Sequence, residues 1–329
     1  MKQVPLGKTG VQVSALCLGC MLFGTTRTDE DTARRLLDAY FEAGGRFLDT
    51  ANNYAFWMTG TRGGESEELL GRWMKDRGNR DQLFLATKVG AKPRTAGGGL
   101  AEGEGLSAAT IERAVEGSLK RLGADFIDLY YAHIDHRTTP LEETLGAFDR
   151  LVQAGKVRHI GCSNITTWRI VEARDISRAQ GWAEYCCVQQ AYSYLRQNPT
   201  AASDFAPNIG PEFGFGVQTN AELLDYRNTH DDFALVAYTP LLSGAYAGKP
   251  LRPDYVGADS DARLAALAQV AAEVGATPNQ VVLAWLMQRT PPAIPLFGAS
   301  TLAQLEENLG ALNVTLTAEQ MDTLTNAGA

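Results

Sequence analysis

The sequence lacks the features that mark membrane-spanning, secreted or nucleic-acid-binding chains. Its longest apolar stretches, such as Val281 to Met287, are far too short to span a bilayer. The opening residues, Met1 to Pro5, carry no secretory apolar run and no lipidation motif, so we expect a cytoplasmic protein. The formal net charge of −8 argues against the basic surface that nucleic acid requires. We therefore predict neither a membrane nor a nucleic-acid partner.

Cysteine is scarce and odd in number, which favours a reduced compartment over a disulfide framework. Cys17 and Cys20 form a C-x-x-C that closes an apolar stretch, whereas a redox motif of this type opens a helix, so we expect neither redox nor zinc use. Cys186 and Cys187 are adjacent, and in a strand they would point to opposite faces and could not share a metal. We interpret both as packing residues, and Cys162 is the fifth cysteine of the chain.

The chain also lacks a G-x-G-x-x-G after its first apolar run, which argues against a doubly wound dinucleotide-binding sheet. Short runs rich in β-branched residues instead alternate with longer amphipathic runs, the pattern of parallel strands joined by helices. Eight such runs predict a closed (β/α)8 TIM barrel formed by one domain, residues 1–329. The predicted strands are Ala15 to Leu18, Arg46 to Asp49, Leu83 to Lys88, Ile127 to His133, Val157 to Cys162, Cys187 to Gln190, Leu235 to Tyr238 and Ala293 to Leu296.

Helix ends and loops follow from caps, glycines and prolines. Residues 1–13, with Gly7-Lys8-Thr9-Gly10 between short alternating stretches, predict a β-hairpin that closes the barrel floor. The segments Gly90 to Gly105 and Asn198 to Gly216 are predicted as long loops that form active-site walls. The predicted helices are Asp31 to Ala43 ending at Gly44, Ser107 to Leu122 ending at Gly123, one opening with Pro140 in its first turn, and one from Thr277-Pro278 to near Gln288.

Four polar residues lie at or just beyond successive strand ends, where barrel enzymes build their active sites. They are Asp49, Tyr54, Lys88 and His133. A carbonyl that accepts hydride becomes an alkoxide and needs a proton, which a tyrosine can supply if a nearby cation lowers its pKa from about 10. Lys88 is the candidate cation, Asp49 its partner, and His133 a second donor to the substrate oxygen. Any one of these residues alone favours a structural role, whereas the four together favour catalysis.

Two further groups of residues at the strand ends bear on ligands. His133, Asp135 and His136 could together suggest a metal, but their spacing matches no recognised ligand set, so we predict no metal and a solvent-facing His136.

Aromatic rings in the loops suit either apolar carbonyls or the C–H faces of sugars. The predicted substrate pocket comprises Phe23, Tyr54, Trp57 and His133, and the further aromatic candidates are Phe56, Phe213 and Phe215.

Several motifs follow one another in a specific order and spacing: Pro5 to Gly10, Arg46 to Tyr54, Glu65 to Gly71, Asp128 to Tyr130 with His133, and Gly155 to Asn164. In this order and spacing the chain resembles the aldo-keto reductase family over nearly its whole length. The resemblance implies an NAD(P)-dependent oxidoreductase that transfers hydride between nicotinamide and an aldehyde, ketone, aldose or alcohol. It implies Tyr54 as general acid/base, Lys88 and Asp49 as the groups that tune it, and His133 as ligand of the substrate oxygen.

The same resemblance implies how NADP(H) or NAD(H) is held. It places the nicotinamide carboxamide on Ser163, Asn164 and Gln189 and stacks Tyr238 on the ring. The implied pyrophosphate contacts are Thr239, Leu241, Ser243 and Gly244, those at the adenosine end are Gly298, Ser300, Gln304, Glu307 and Asn308, and Cys20, Met21 and Asp49 complete the set. Because residues 294–308 contain no Lys or Arg for a 2′-phosphate, we expect weak discrimination in favour of NADPH.

Two other functions stay open from the sequence. A cofactor-binding regulatory subunit with slow turnover would resemble the potassium-channel β subunits of this family, although no amino-terminal extension or docking feature supports it. A barrel aldolase or isomerase would use Lys88 as a Schiff base and would need no nicotinamide. The sequence does not indicate the physiological substrate, the direction of reaction or the oligomeric state.

Overall fold

The structure is a computed structural model that describes residues 1–58, 60–95, 98–99, 102–198 and 217–328. Within these residues eight parallel strands close into a barrel, each beside the next along the chain, and the last pairs with the first. This confirms the predicted TIM barrel. Of the predicted wall loops, residues 199–216 lie outside the described part, as do Phe213 and Phe215.

All eight predicted barrel strands are present, with ends that shift by at most two residues. The first of them begins at Cys17, two residues after the predicted start at Ala15. The Ala15 N–H donates to the Lys2 carbonyl, so Ala15 belongs to the preceding hairpin. The strands are β1 (Gln3–Pro5) and β2 (Gln12–Ser14) in the hairpin, then β3 (Cys17–Gly19), β4 (Phe47–Asp49), β5 (Phe84–Val89), β6 (Ile127–Ala132), β7 (Val157–Ser163), β8 (Tyr185–Ala191), β9 (Ala234–Tyr238) and β10 (Ile294–Phe297) in the barrel.

The hairpin closes the floor of the barrel, as predicted. β1 and β2 are antiparallel, and the intervening turn bonds through Lys8 N–H to the Asp232 carbonyl, just before β9 begins. A Cβ on Gly7 would lie 2.4 Å from the Asp232 oxygen, so only glycine fits this approach. Leu6 and Val13 pack into the lower barrel interior against the first residues of several strands. The open end of the barrel is therefore the opposite one, where the strands finish.

Helices connect the strands and cover the barrel. Among the described residues, none is long and apolar enough to cross a membrane. The helices are α1 (Glu30–Glu42), α2 (Glu65–Arg77), α3 (Ala108–Leu122), α4 (Leu141–Gln153), α5 (Thr167–Gln180), α6 (Ala221–Thr229), α7 (Ala258–Val274), α8 (Pro278–Gln288), α9 (Leu302–Gly310) and α10 (Ala318–Asn326).

The predicted caps are confirmed with one exception. Ser107 accepts from the Thr110 N–H at the start of α3, and Thr277 forms a capping box with Gln280 at the start of α8. Pro140 is the residue before α4 and not part of its first turn, so that prediction is wrong by one position. Its extended ψ of 140° places it outside the helix.

Alternation along the strands determines which side chains point into the barrel. Phe47 and Phe84, at the starts of β4 and β5, belong to the inner hydrophobic cluster, whereas Leu85 belongs to the outer one. Since side chains alternate with a period of two, Asp49 shares the inward face with Phe47, and Lys88 shares it with Phe84. An apolar layer thus fills the closed end of the barrel, and Asp49 and Lys88 lie above it, nearer the open end.

The adjacent cysteines of β8 differ from the expectation that they point to opposite faces. The register between β7 and β8 shifts between the pairs Ile160 with Tyr185 and Cys162 with Val188, which inserts one residue into β8. This bulge brings the Cys186 and Cys187 sulphurs to 3.9 Å. All five cysteines are free.

Candidate active site

Three of the four predicted catalytic residues form one hydrogen-bonded group at the open end of the barrel. The Lys88 ammonium donates to the Tyr54 hydroxyl at 2.6 Å, to the Thr50 carbonyl at 2.8 Å and to Asp49 Oδ1. The Tyr54 hydroxyl donates to the same Asp49 oxygen at 3.2 Å. Asp49 and Lys88 are fully buried. All three hydrogens of the ammonium have acceptors, which argues against the Schiff-base alternative for Lys88.

His133 completes the group from the end of β6. Its ring lies edge-on to the Tyr54 ring, with 5.8 Å between ring centres. Its backbone is fixed on both sides, because its N–H donates to the Val89 carbonyl and its carbonyl accepts from the Asn164 amide. Burial, and next the charge of Lys88, lower the pKa of His133 well below its usual range. The imidazole is therefore neutral at pH 7 and carries one N–H that can be donated.

The pKa of Tyr54 moves in the direction opposite to the sequence-based expectation. Burial raises it well above 10, and the Asp49 carboxylate raises it further. Burial also lowers the pKa of Lys88, an effect that Asp49 opposes. The expectation of a lowered tyrosine pKa considered only the cation and not the loss of solvent. The Tyr54 hydroxyl consequently stays protonated at neutral pH, which suits a proton donor.

Polar residues that the sequence did not single out hold the loop that carries Tyr54. The Asn53 side-chain amide donates to the Ala91 carbonyl at 3.2 Å. The Asn52 amide donates to Glu104 Oε1 at 2.7 Å, and the same oxygen accepts from the Gly90 N–H at 3.1 Å. Glu104 thus ties the loop after β4 to the end of β5. Only the folded loop after β5 brings this carboxylate near, so no linear motif indicated it.

The residues implied for the nicotinamide lie next to the catalytic group. The Asn164 amide donates to Ser163 Oγ at 2.9 Å, and its oxygen accepts from the Tyr238 hydroxyl at 2.7 Å. Asn164 has a φ of +51°, an uncommon conformation that asparagine tolerates. Gln189 donates instead to Asp49 Oδ2 at 2.8 Å. The structure therefore brings all four implied residues to the mouth of the barrel and connects one of them directly to Asp49.

The loop after β9 has the backbone and charge that an anionic group needs. Thr239, Leu242 and Ser243 have positive φ, and strain of this kind concentrates at ligand sites. The side chain of Lys249 folds over Gly244, so that a Cβ there would lie 3.1 Å from Lys249 Cδ and 3.5 Å from its amine. An adaptable backbone with an exposed cation above it fits a pyrophosphate. Lys249 was not among the residues predicted from the sequence, although it is the first cation after the loop.

Some of the residues implied for the adenosine end of the cofactor are exposed, whereas others are buried or hydrogen-bonded to a neighbouring helix. Ser300 and Gln304 are exposed, and both the N–H and the hydroxyl of Ser300 donate to Gln304 Oε1 at 2.9 Å. Glu307 is occupied by α8, because it accepts from Thr277 at 2.8 Å and from Asn279 at 3.3 Å. Asn308 is buried. The structure thus leaves Ser300 and Gln304 available, and it uses Glu307 to cap a neighbouring helix.

The walls of the site differ in part from the predicted pocket. Trp57 is 51% exposed and packs edge-on against Phe56, with 5.2 Å between ring centres. Phe23, by contrast, is 1% exposed and packs in the core between barrel and helices, so its assignment to the pocket wall is wrong. A turn in which its N–H donates to the Cys20 carbonyl directs it inward. Met21 is exposed, whereas Cys20 is buried and its thiol is not available to a cofactor.

The alternative metal ligands have other partners. Asp135 is buried and pairs with Arg137 at 3.1 Å and Arg169 at 2.9 Å. His136 lies in the loop after β6, where it contacts Thr139 at 2.9 Å and packs on Gly105, so it is half-buried and only partly solvent-facing. In the described ranges of the chain, no three His, Cys, Asp or Glu side chains are grouped to hold a metal.

Comparisons with known proteins give a consistent result. The profile described as Aldo/keto reductase family matches residues 15–329. The Bacillus subtilis (strain 168) protein named uncharacterized oxidoreductase YrpG is 33% identical over 97% of this chain and 93% of its own length. The aldo-keto reductase yakc of Schizosaccharomyces pombe, whose name carries NADP(+), is 31% identical over 95% of this chain and 88% of its own. The crystal structure of the thermostable aldo-keto reductase Tm1743 with the inhibitor epalrestat covers 98% of both chains at a TM-score of 0.73 and 28% identity.

Proposed function

Since the chain belongs to the aldo/keto reductase family, we propose that Tyr54 donates the proton to the carbonyl oxygen of the substrate during reduction. Its activity as an NAD(P)-dependent oxidoreductase of small-molecule carbonyl compounds follows from the family. The roles of the individual residues are the proposal. The observation that carries it is the contact of Lys88 and Asp49 with the Tyr54 hydroxyl beside a neutral His133.

Each residue of the group has a distinct task in carbonyl reduction. Tyr54 remains protonated because of burial and Asp49, so its proton is available when charge develops on the substrate oxygen. Lys88 donates to the tyrosine oxygen and stabilises the negative charge that forms there once the proton has left. The His133 imidazole supplies a second hydrogen-bond donor to the substrate oxygen. In alcohol oxidation the same groups act in reverse, with Tyr54 as the base.

The cofactor supplies the hydride when it is bound. Ser163, Asn164 and Tyr238 are proposed to hold the nicotinamide end, and the loop 239–244 with Lys249 the pyrophosphate. Support comes from the positive φ values of this loop and the position of the Lys249 side chain over Gly244. Ser300 and Gln304 would contact the adenosine end of the cofactor, and both side chains are neutral. The lack of a positive charge for the 2′-phosphate supports use of both NADH and NADPH.

Several finer statements are part of the same proposal. Trp57 at the mouth supports substrates that present a flat face to it, either an apolar carbonyl or a sugar. A cytoplasmic location is supported by the five free thiols. The negative net charge supports the absence of a nucleic-acid partner. We also propose that residues 1–329 form a single domain.

A paired screen tests the proposed function. Sugars, polyols, aldehydes and ketones are assayed with the oxidised and reduced forms of both nicotinamide cofactors, and Tyr54→Phe serves as the control. We expect cofactor-dependent turnover of at least one carbonyl class that the variant loses. Tight nucleotide binding with only slow cofactor oxidation across the whole panel would contradict the proposal and support the regulatory-subunit alternative.

A further inference from the structure

Gln189 makes a hydrogen bond across the barrel to the catalytic carboxylate. Its Nε2 donates to Asp49 Oδ2 at 2.8 Å. Gln189 is on β8 and Asp49 is on β4, and three strands separate these two in either direction around the barrel. Asp49 is fully buried and Gln189 is 3% exposed. The bond therefore spans the interior, out of contact with solvent.

The two oxygens of Asp49 have different partners. Oδ1 accepts from both Lys88 and Tyr54, whereas Oδ2 accepts from Gln189. We propose that Gln189 is a positioning residue that orients the Asp49 carboxylate so that Oδ1 faces Lys88 and Tyr54. This inference rests on the proposed function, because it assigns Gln189 a role only through the groups that move the proton.

The chemistry of the amide allows Gln189 to meet the cofactor as well. The family resemblance implies a contact between this glutamine and the nicotinamide carboxamide. Because Nε2 is used for Asp49, the oxygen Oε1 is the end that remains for a carboxamide N–H. One side chain would then contact both the cofactor and the carboxylate that supports proton transfer. A role limited to cofactor binding and a role in positioning Asp49 predict different consequences of its removal.

Loss of the Gln189 donor leaves one oxygen of a buried carboxylate unsatisfied. A hydrogen bond to the charged form favours that form, so its loss draws the shared proton of the pair from Lys88 towards Asp49. A neutral Lys88 would no longer assist ionisation of Tyr54. In alcohol oxidation, where Tyr54 must accept a proton, the acid limb of the rate profile would therefore move to higher pH.

The other titratable groups that face this cluster do not ionise in the relevant range. They are the Cys17 and Cys20 thiols from β3 and the residue after it, Tyr131 from β6 and His133 at its end. Burial raises the pKa of both thiols and of Tyr131 well above their usual values, and it lowers the pKa of His133 well below its usual value. These four groups therefore do not contribute to a shift of the profile between pH 6 and 9.

The next residue along β8 provides a matched control. Gln190 is 2% exposed, and its Nε2 also donates over 2.8 Å, but to the backbone carbonyl of Ile165. Gln189→Leu and Gln190→Leu each remove one buried amide donor and leave a side chain of similar size. Only the first removes a donor to Asp49.

The experiment compares both variants at saturating cofactor, with single-turnover hydride transfer followed from pH 6 to 10. For Gln189→Leu we expect a rate about tenfold lower and an acid limb of alcohol oxidation displaced upward by about half a pH unit or more. Gln190→Leu should follow the wild-type profile. If Gln189→Leu only weakens cofactor binding and its profile at saturation overlays that of the wild type, the positioning role is wrong.

A second readout needs no cofactor. In urea unfolding of the apoprotein, Gln189→Leu should lower the midpoint more than Gln190→Leu, because its acceptor is charged. In the Asp49→Asn background this excess should disappear, and its persistence there would contradict the inference. Should Gln189→Leu fail to fold, Gln189→Glu replaces it. This variant keeps the size of the side chain, but its carboxylate has no hydrogen to donate to Asp49. Its lowered urea midpoint should therefore recover at lower pH, where the carboxyl group is protonated and can donate. A defect independent of pH would count against the positioning role.

Failure of this inference and failure of the proposed function give different results. If Tyr54→Phe retains turnover, the proposed proton donor is wrong whatever Gln189 does. If Tyr54→Phe is inactive while Gln189→Leu and Gln190→Leu behave alike, only the positioning role is wrong.

Discussion

The Lys88 ammonium donates to the Tyr54 hydroxyl at 2.6 Å at the mouth of the barrel, where Lys88 is fully buried and Tyr54 is 9% exposed. The Tyr54 hydroxyl donates its hydrogen to Asp49 in this arrangement, with 3.2 Å between the hydroxyl oxygen and Oδ1. Proton donation to a substrate therefore requires this O–H to turn from Asp49 towards the mouth. Lys88 can stay in contact with the tyrosine oxygen throughout, and it stabilises the negative charge that remains on this oxygen.

The buried ion pair predicts unequal effects of single and double substitutions. Lys88→Met leaves the Asp49 carboxylate buried without its cation, which should cost about 3–5 kcal/mol of unfolding free energy. Combining it with Asp49→Leu removes both charges and should recover at least half of that loss. Urea unfolding of the apoprotein measures both. A double variant no more stable than Lys88→Met would show that the uncompensated carboxylate is not the cause.

His133 predicts a loss of stability in acid. Its folded pKa lies well below the unfolded value near 6.5, so below that pH the unfolded chain binds a proton that the folded protein does not. Stability is full above this range and falls with decreasing pH, by at most about 1.4 kcal/mol per pH unit for one histidine. Urea unfolding between pH 7.5 and 5 measures the slope.

The matched variant is His133→Gln, which should show a shallower slope. Part of the slope should persist, because burial also lowers the pKa of His136 and His159. Identical slopes in the variant and the wild type would mean that His133 does not contribute.

Lys249 predicts a specific loss of cofactor affinity. Lys249→Ala removes the cation over the loop 239–244 and should weaken binding of either nicotinamide cofactor by about tenfold, the value of one charge-assisted hydrogen bond. Fluorescence titration of NADH and NADPH measures the Kd. Lys75→Ala, which removes an exposed cation on α2, should leave it unchanged. Equal Kd values for the wild type and both variants would show that Lys249 does not contribute to cofactor binding.

The absence of Lys and Arg from residues 294–308 predicts a limited cofactor preference. NADPH should be favoured over NADH by no more than about a hundredfold in KM, a difference of roughly 2.7 kcal/mol. Ser300→Arg should raise the preference for NADPH about tenfold by supplying a charge for the 2′-phosphate. Paired KM measurements test both statements, and a larger wild-type preference would show that another group recognises the phosphate.

The sequence indicated Asp49, Lys88 and His133 because each interrupts an apolar strand at its carboxyl end, where a barrel gathers such residues. It could not indicate that Gln189 reaches Asp49, because that contact depends on barrel closure between non-neighbouring strands. The burial that raises the pKa of Tyr54 is likewise a property of the packed structure. Phe23 shows the same limit, since a turn after β3 directs it into the core, whereas a linear sequence placed it at the mouth.

The most direct test of the account is the rate of hydride transfer in Tyr54→Phe under single-turnover conditions at saturating cofactor. Tyr130→Phe is the control, because its buried hydroxyl has no hydrogen-bond partner in the part of the chain that the structure describes. We predict a loss of about 10²–10⁴-fold for Tyr54→Phe, with cofactor binding retained, and a wild-type rate for Tyr130→Phe. A Tyr54→Phe rate within about tenfold of the wild type would contradict the assignment of Tyr54 as proton donor.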